Sequence, residues 1–130
     1  MSYWLGVGGH IRLDEDPNES AIRKVKEEAN LDVILFYEQE KTPKFKREVK
    51  SLIPPQYINR HRIDETHEHI ALIYFAYPKE IIKKEMKIPQ ECRWINEKDL
   101  LENSHNFPDD TIFYATNALK LGKLKNANKY

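Results

Sequence analysis

The chain has 130 residues, enough for one domain and not for two. Its 21 Lys and Arg balance its 21 Asp and Glu, so the formal net charge is +0. This balance excludes the strongly basic composition of a general nucleic-acid-binding protein. One cysteine excludes an internal disulfide, and no apolar run approaches the roughly 20 residues of a membrane span. Without a basic signal segment at the N-terminus, we expect a single cytoplasmic domain over residues 1–130.

A helix is predicted directly after a glycine-rich turn. Three of the four glycines, Gly6, Gly8 and Gly9, lie together before it, and glycine is favoured where the backbone turns tightly or approaches another group closely. Asp16 is a good N-cap, Pro17 suits the first helical position, and Glu19 completes a capping box. Asn30 is expected to end the helix, because asparagine tolerates the left-handed conformation at a helix C-terminus.

Three strands and a loop are predicted next. Residues 32–38 and 56–62 are rich in strand-forming side chains, and the charged stretch 39–55 is predicted as loop. Residues 69–77 form an almost continuous apolar run, which is typical of a central strand covered on both faces.

The last third of the chain is predicted to be mainly helical. Residues 92–95 are a short strand candidate, and Asn96 is expected to cap a short helix over 97–102. Pro108 and the acids after it open a final helix, which Gly122 is expected to end. The order of elements indicates an α+β or sandwich fold.

One segment carries a specific spacing of charged and small residues. Gly9 is followed after five residues by Glu15, and seven further residues lead to Arg23. This pattern resembles the Nudix hydrolase signature, Gly-x5-Glu-x7-Arg-Glu-U-x-Glu-Glu-x-Gly-U, in which U is a bulky aliphatic residue. The matching positions are Gly9, Glu15, Arg23, Val25, Glu27, Glu28 and Leu31. Residues 91–95 and 97–101 also resemble the Trp-containing strand and short acidic helix near the end of Nudix domains.

The resemblance implies a fold and a set of site residues. We expect an α/β/α sandwich with a mixed β-sheet, lacking one or more N-terminal strands, and a Nudix box over residues 9–31. Glu27 and Glu28 match catalytic and metal-ligating positions for Mg²⁺ or Mn²⁺, with the Gly9 carbonyl (or that of Gly8) as a further ligand. Glu15 and Arg23 match positions that hold the loop to the helix.

Lys24 departs from the family pattern at a position that matters for the metal. The family has a glutamate there, and Asn30 similarly stands where the family has glycine. Lysine carries only hydrogen-bond donors at neutral pH, so it can neither bind a cation nor act as a base. It also lies four residues before Glu28, at a spacing that favours an ion pair. We therefore expect weakened metal binding and reduced hydrolysis, unless Glu91, Glu85 or Glu80 supplies another acid, with Glu91 the preferred candidate.

Several other residues are candidates for binding. Arg12 can contact a phosphate or stay solvated, and Arg60, His61 and Arg62 can help to hold an anionic substrate. His67 and His69 point to one face if the segment is extended, but two histidines without a clear partner favour a strand or pocket-rim role over a zinc site. Cys92 is interpreted as a small buried side chain, and Trp4 as a core residue or one that stacks on a base.

Two functions from different classes follow. The first is a Nudix-type pyrophosphohydrolase that cleaves a nucleoside diphosphate linked to another group with a divalent metal. The alternative is a Nudix-like module that binds a nucleotide and hardly cleaves it. In both, the partner is a small nucleotide derivative rather than a membrane or nucleic acid. The few residues before the box predict one of two things: a short sheet whose exposed edges pair two copies as a homodimer, or a true start upstream of Met1.

Overall fold

The computed structural model describes residues 3–39, 42–80 and 88–127, with side chains to residue 124. The chain divides into two compact units. We call Gly8–Pro89 the box unit, and Met1–Val7 with Gln90–Tyr130 the C-terminal unit. The prediction that residues 1–130 form one domain stays a prediction.

The first helix of the box unit, α1, runs from Pro17 to Ala29. The Asp16 side chain accepts from the Glu19 backbone N–H at 2.9 Å, and the Glu19 carboxylate accepts from the Asp16 N–H at 3.1 Å. At the other end Asn30 has φ 56°, in the left-handed region. The predicted start, capping box and end of this helix are confirmed.

The strands β1 (Val33–Leu35) and β4 (Ala76–Pro78) form an antiparallel pair beside α1. Val33 and Leu35 are buried, whereas Ile34 between them is 40% exposed. Among the described residues of this unit, the buried apolar side chains belong to the end of α1, to β1 and its approach, and to the segment before β4: Ala29, Leu31, Val33, Leu35 and Phe75. This small core anchors the C-terminal end of α1.

The strands β2 (Tyr57–Arg62) and β3 (Glu68–Ile73) form a second antiparallel pair. The prediction of one covered central strand over 69–77 is wrong, because the chain leaves β3 after Ile73 and re-enters a strand at Ala76. The physical reason is the buried Phe75, whose carbonyl accepts from the Phe36 N–H at 2.7 Å beside β1. The apolar run thus contributes a strand to each of two sheets. It is also not covered on both faces, since Ile70 in β3 is 71% exposed.

The C-terminal unit contains α2 (Glu97–Glu102), a 3-10 turn (Ser104–Asn106) and α3 (Asp109–Ala127). Asn96 caps α2 as predicted, accepting from the Asp99 N–H at 2.8 Å. The strand predicted over 92–95 is absent from the described residues. The predicted end of α3 at Gly122 is also wrong, since one glycine inside a helix costs only about 1 kcal/mol.

The α+β class is confirmed. The described strands form two antiparallel pairs, β1 with β4 and β2 with β3, where the sequence predicted one mixed sheet. The reason lies in the short strands and in the change of partner at Phe75. In the part of the chain that the structure describes, no helix is long and apolar enough to cross a membrane.

Candidate active site

An ion pair between Glu15 and Arg23 joins the glycine loop to α1. Arg23 Nη2 and Nε donate to the two Glu15 carboxylate oxygens at 2.7 and 2.9 Å, and the two side chains are only 19% and 10% exposed. Arg23 Nη2 also donates to the His10 carbonyl at 3.0 Å, and the Arg12 N–H donates to Glu15 at 2.9 Å. These contacts fix both ends of the loop that leads from Gly9 to the helix.

The same contacts keep the pair ionised. The hydrogen bonds from Arg23, followed by the backbone N–H of Arg12, lower the pKa of Glu15 to about 2. The Glu15 carboxylate in turn raises the pKa of Arg23. Each charge stabilises the other, as expected for a charge-assisted bidentate pair.

Both carboxylate oxygens of Glu27 contact arginines. Arg23 Nη1 lies 3.1 Å from Oε2, and Arg12 Nη2 lies 3.3 Å from Oε1. The hydrogen bond from Arg23 is the largest cause of a lowered Glu27 pKa. Glu27 is therefore a carboxylate already neutralised by two guanidinium groups.

Lys24 lies against the glycine loop and reaches the remaining acid of the box. Its Nζ is 3.0 Å from Glu28 Oε1 and 3.7 Å from Glu27 Oε2. The pairing of Lys24 with Glu28 predicted from their spacing is confirmed. A Cβ built on Gly9 would lie 2.4 Å from Lys24 Cε, so a side chain at position 9 would take the space that this lysine occupies.

Three carboxylates of the box are paired with cationic side chains. The carboxylates of Glu15, Glu27 and Glu28 face three cations, Arg12, Arg23 and Lys24. Among the described residues, no group of three or more His, Cys, Asp or Glu side chains is arranged to hold a metal ion. The chemistry of Glu27 and Glu28 suits a hard cation, but Arg12, Arg23 and Lys24 contact the carboxylate oxygens that a divalent ion would need.

Two of the three acids proposed to replace the missing glutamate lie in the described residues. Glu80 is exposed just after β4, and Glu91 is exposed in a turn of the C-terminal unit. Glu85 lies outside the described residues. A role for Glu91 as a metal ligand stays a prediction.

The predicted anion-binding residues of β2 do not share one face. Because side chains alternate along a strand, Arg60 and Arg62 lie on the face opposite to His61. Arg60 Nε is 3.2 Å from Glu68 Oε2 on the paired strand. Arg12, the fourth candidate, is 60% exposed and pairs with Glu27.

Sequence reasoning missed a cluster of histidines in the box unit. The rings of His10, His61 and His67 all contact His69, with centroids 5.2, 5.8 and 5.2 Å away. Burial, and then these neighbouring rings, lower the pKa of His69. His61 lies directly opposite His69 in the β2–β3 register, so the antiparallel pairing of two predicted strands is the signal that would have revealed this contact.

The C-terminal unit has its own aromatic contact. The Arg93 guanidinium lies 4.4 Å from the centre of the Trp4 ring, and the Trp4 backbone N–H donates to the Asn106 carbonyl at 3.0 Å. The ring face predicted to be core or to stack on a base thus contacts an arginine. A cavity of about 240 Å³ beside it is lined by Arg93, Trp94, Ile95, Asp99 and Asn103.

A comparison with models of known protein families shows which family the chain belongs to. The model of the NUDIX domain family matches residues 2–115, most of the chain. The chain therefore belongs to the Nudix family, as the glycine loop and capped helix of the box suggest.

One solved structure supports the same assignment. The chain resembles a crystal structure of a NUDIX-family hydrolase from Clostridium perfringens, with 29% sequence identity and a TM-score of 0.66. The match covers 87% of this chain and 77% of that one. Among curated proteins, none matches the chain.

Proposed function

We propose that the chain is a Nudix-type pyrophosphohydrolase of low activity, acting on a nucleoside diphosphate linked to another group. The observation that carries the proposal is the ion pair of 3.0 Å between Lys24 and Glu28. Membership of the family supports the reaction class, and Lys24 is the reason for the low rate. Glu27 and Glu28 remain the proposed catalytic and metal-binding acids.

The reduced rate follows from competition between cations. When bound, Mg²⁺ or Mn²⁺ supplies the positive charge that polarises a phosphoryl oxygen and positions water. In this chain the Lys24 ammonium already lies between the two acids, and the arginines contact both oxygens of Glu27. A divalent ion must displace these groups before the acids can hold it, so its affinity is low.

A second function, a nucleotide-binding module, is favoured by the same cations. Arg12 is exposed and can leave Glu27 to contact a phosphate of the ligand, with Lys24 close to the glycine loop. Binding of this kind needs no metal ion. A ligand that binds equally well with a chelator present and is not cleaved favours the module over the hydrolase.

Location and assembly belong to the same proposal. We place the chain in the cytoplasm, because its single cysteine suits a reducing compartment. A homodimer is proposed through a sheet edge, since in the described residues β2 and β3 pair only with each other. Size-exclusion chromatography over a range of concentrations tests this, and a monomer throughout contradicts it.

A substrate panel tests the hydrolase directly. ADP-ribose, other nucleoside diphosphate derivatives and nucleoside triphosphates are incubated with wild-type protein and Lys24→Glu, with Mg²⁺ or Mn²⁺, and product release is measured. We expect slow wild-type turnover and faster turnover by the variant on the same substrate. Equal rates for the two proteins contradict the role given to Lys24, and no turnover by either favours the binding module.

A further inference from the structure

Four of the five histidines of the chain lie in the one cluster around His69. None of these side chains is among the catalytic or metal-binding acids of the proposed hydrolase, and only His61 is a candidate for holding its substrate. Imidazole is a good ligand for Zn²⁺, Ni²⁺ and Cu²⁺. His10 lies in the box, but His61, His67 and His69 lie outside it, and their convergence points to a different kind of cation.

His67 and His69 have the most favourable arrangement in this cluster. His69 lies in β3, which begins at Glu68, and His67 directly precedes the strand. The contact between their rings places both side chains on the same side. Their ring centroids are 5.2 Å apart with the planes tilted by 53°. Two nitrogens that share one ion, each about 2.1 Å from it, lie within about 4.2 Å of each other. The χ2 torsion of histidine is broad, so two rings at this distance can rotate until one nitrogen of each faces the same point.

His67 is also oriented by a carboxylate. Its Nδ1 lies 3.2 Å from Asp64 Oδ1 and 3.0 Å from Thr66 Oγ1, and Asp64 is itself held by the Thr66 N–H at 2.7 Å. A carboxylate on one ring nitrogen fixes the tautomer and leaves Nε2 as the metal donor, which is the usual outer-sphere arrangement of metal-binding histidines. The side chain of His67 is 48% exposed, so an ion can reach it.

We propose that His67 and His69 bind a first-row transition-metal ion that favours imidazole, such as Ni²⁺ or Zn²⁺. Asp64 acts as a positioning residue for His67, and water fills the other coordination positions. The site has only two protein ligands, because in the described part of the chain no three His, Cys, Asp or Glu side chains are arranged to hold one ion. The site is distinct from Glu27 and Glu28 and does not depend on the proposed hydrolase activity.

Titration of untagged, chelator-treated protein with Ni²⁺ alone tests the proposal. We expect one Ni²⁺ per chain in isothermal titration, and a loss of roughly tenfold or more in affinity for His67→Gln and for His69→Gln. Asp64→Asn keeps both imidazoles and should weaken binding by roughly 10- to 100-fold. The matched control is His105→Gln, which changes the fifth histidine in the 3-10 turn of the C-terminal unit and should leave the isotherm unchanged.

Circular dichroism and thermal melting show whether each variant is folded, and the milder Asp64→Asn keeps the test valid if a histidine variant is not. Wild-type affinity in a folded His67→Gln or His69→Gln, or in Asp64→Asn, overturns the proposal. A loss of Ni²⁺ binding in Glu27→Gln/Glu28→Gln with binding kept in His67→Gln places the ion in the box and also overturns it. Hydrolysis measured with Mg²⁺ is a separate readout, so the two proposals can fail independently.

Discussion

The ammonium of Lys24 lies 3.0 Å from the carboxylate of Glu28, one helical turn further along α1. The same ammonium lies 3.7 Å from Glu27. A single lysine therefore contacts both acids that Nudix hydrolases are expected to use for a divalent ion. Whether this chain binds metal depends on how firmly Lys24 holds that position.

The close packing of Gly9 on Lys24 gives a way to move the lysine without replacing it. In Gly9→Ala the new methyl group would lie 2.4 Å from Lys24 Cε and 2.7 Å from Cδ, so the flexible end of the lysine must shift. Gly9 does not have a positive φ, and the stability should change by less than about 1 kcal/mol. We expect the affinity for Mn²⁺, measured by calorimetry, to rise several-fold.

Gly8→Ala is the matched control, since nothing lies within 4 Å of a Cβ built at Gly8. It should leave the Mn²⁺ affinity at the wild-type value. If the two alanine variants bind Mn²⁺ equally, displacement of Lys24 is not the cause of any change.

The Glu15–Arg23 pair predicts how stability depends on pH. Because the folded pKa of Glu15 is lowered from 4.5 to about 2, the stabilisation is fully present above about pH 4.5 and is lost as the pH falls toward 2. The free energy of unfolding, measured with urea between pH 2 and 6, should rise less steeply with pH for Glu15→Gln than for wild type. The variant should also be less stable than wild type at neutral pH.

The stability of Glu15→Gln should still depend on pH, because Lys50 lowers the pKa of Asp16 from 3.8 to about 2. Protonation of Asp16 therefore also destabilises the fold as the pH falls, over an overlapping range of pH. The free energy of unfolding of the double variant Glu15→Gln/Asp16→Asn should therefore depend even less on pH. Identical slopes for wild type and Glu15→Gln would contradict the importance of the pair.

The core of the C-terminal unit depends on Leu100 in α2. This side chain is 1% exposed, whereas the adjacent Leu101 is 50% exposed. Leu100→Ala should lower the free energy of unfolding by about 2–5 kcal/mol through lost burial and a cavity, as measured by denaturant titration. Leu101→Ala is the control, and a loss as large as that of Leu100→Ala would show that α2 is packed differently.

Local signals in the sequence predicted the box well. The caps Asp16 and Asn30, the α1 helix and the Lys24–Glu28 pair all follow from contacts within a few residues, where side-chain chemistry and helical spacing decide the outcome. The Nudix spacing supplied the family, which the match over residues 2–115 confirms.

Contacts between distant segments could not be predicted in the same way. Phe75 ends one strand pairing and begins another because it is buried beside Phe36, and nothing in the apolar run marks that exchange. Two further contacts depend on where the loop after Gly9 lies in the folded unit: Arg12 with Glu27, and His10 with His69. Such contacts are set by tertiary packing rather than by local preference.

The central claim is that Lys24 replaces a divalent cation in the box, and Mn²⁺ binding tests it most directly. Free Mn²⁺ is followed by electron paramagnetic resonance during titration of wild type, Lys24→Glu and Lys26→Glu. The last variant makes the same charge change on the same helix, where Lys26 pairs with Asp32. We predict at least about tenfold tighter Mn²⁺ binding for Lys24→Glu alone. Two unit charges 4 Å apart near a protein surface interact by about 4 kcal/mol, so replacing a repelling lysine by an attracting carboxylate has a large effect. Equal affinity in wild type and Lys24→Glu, or equal gains in both variants, would contradict the claim.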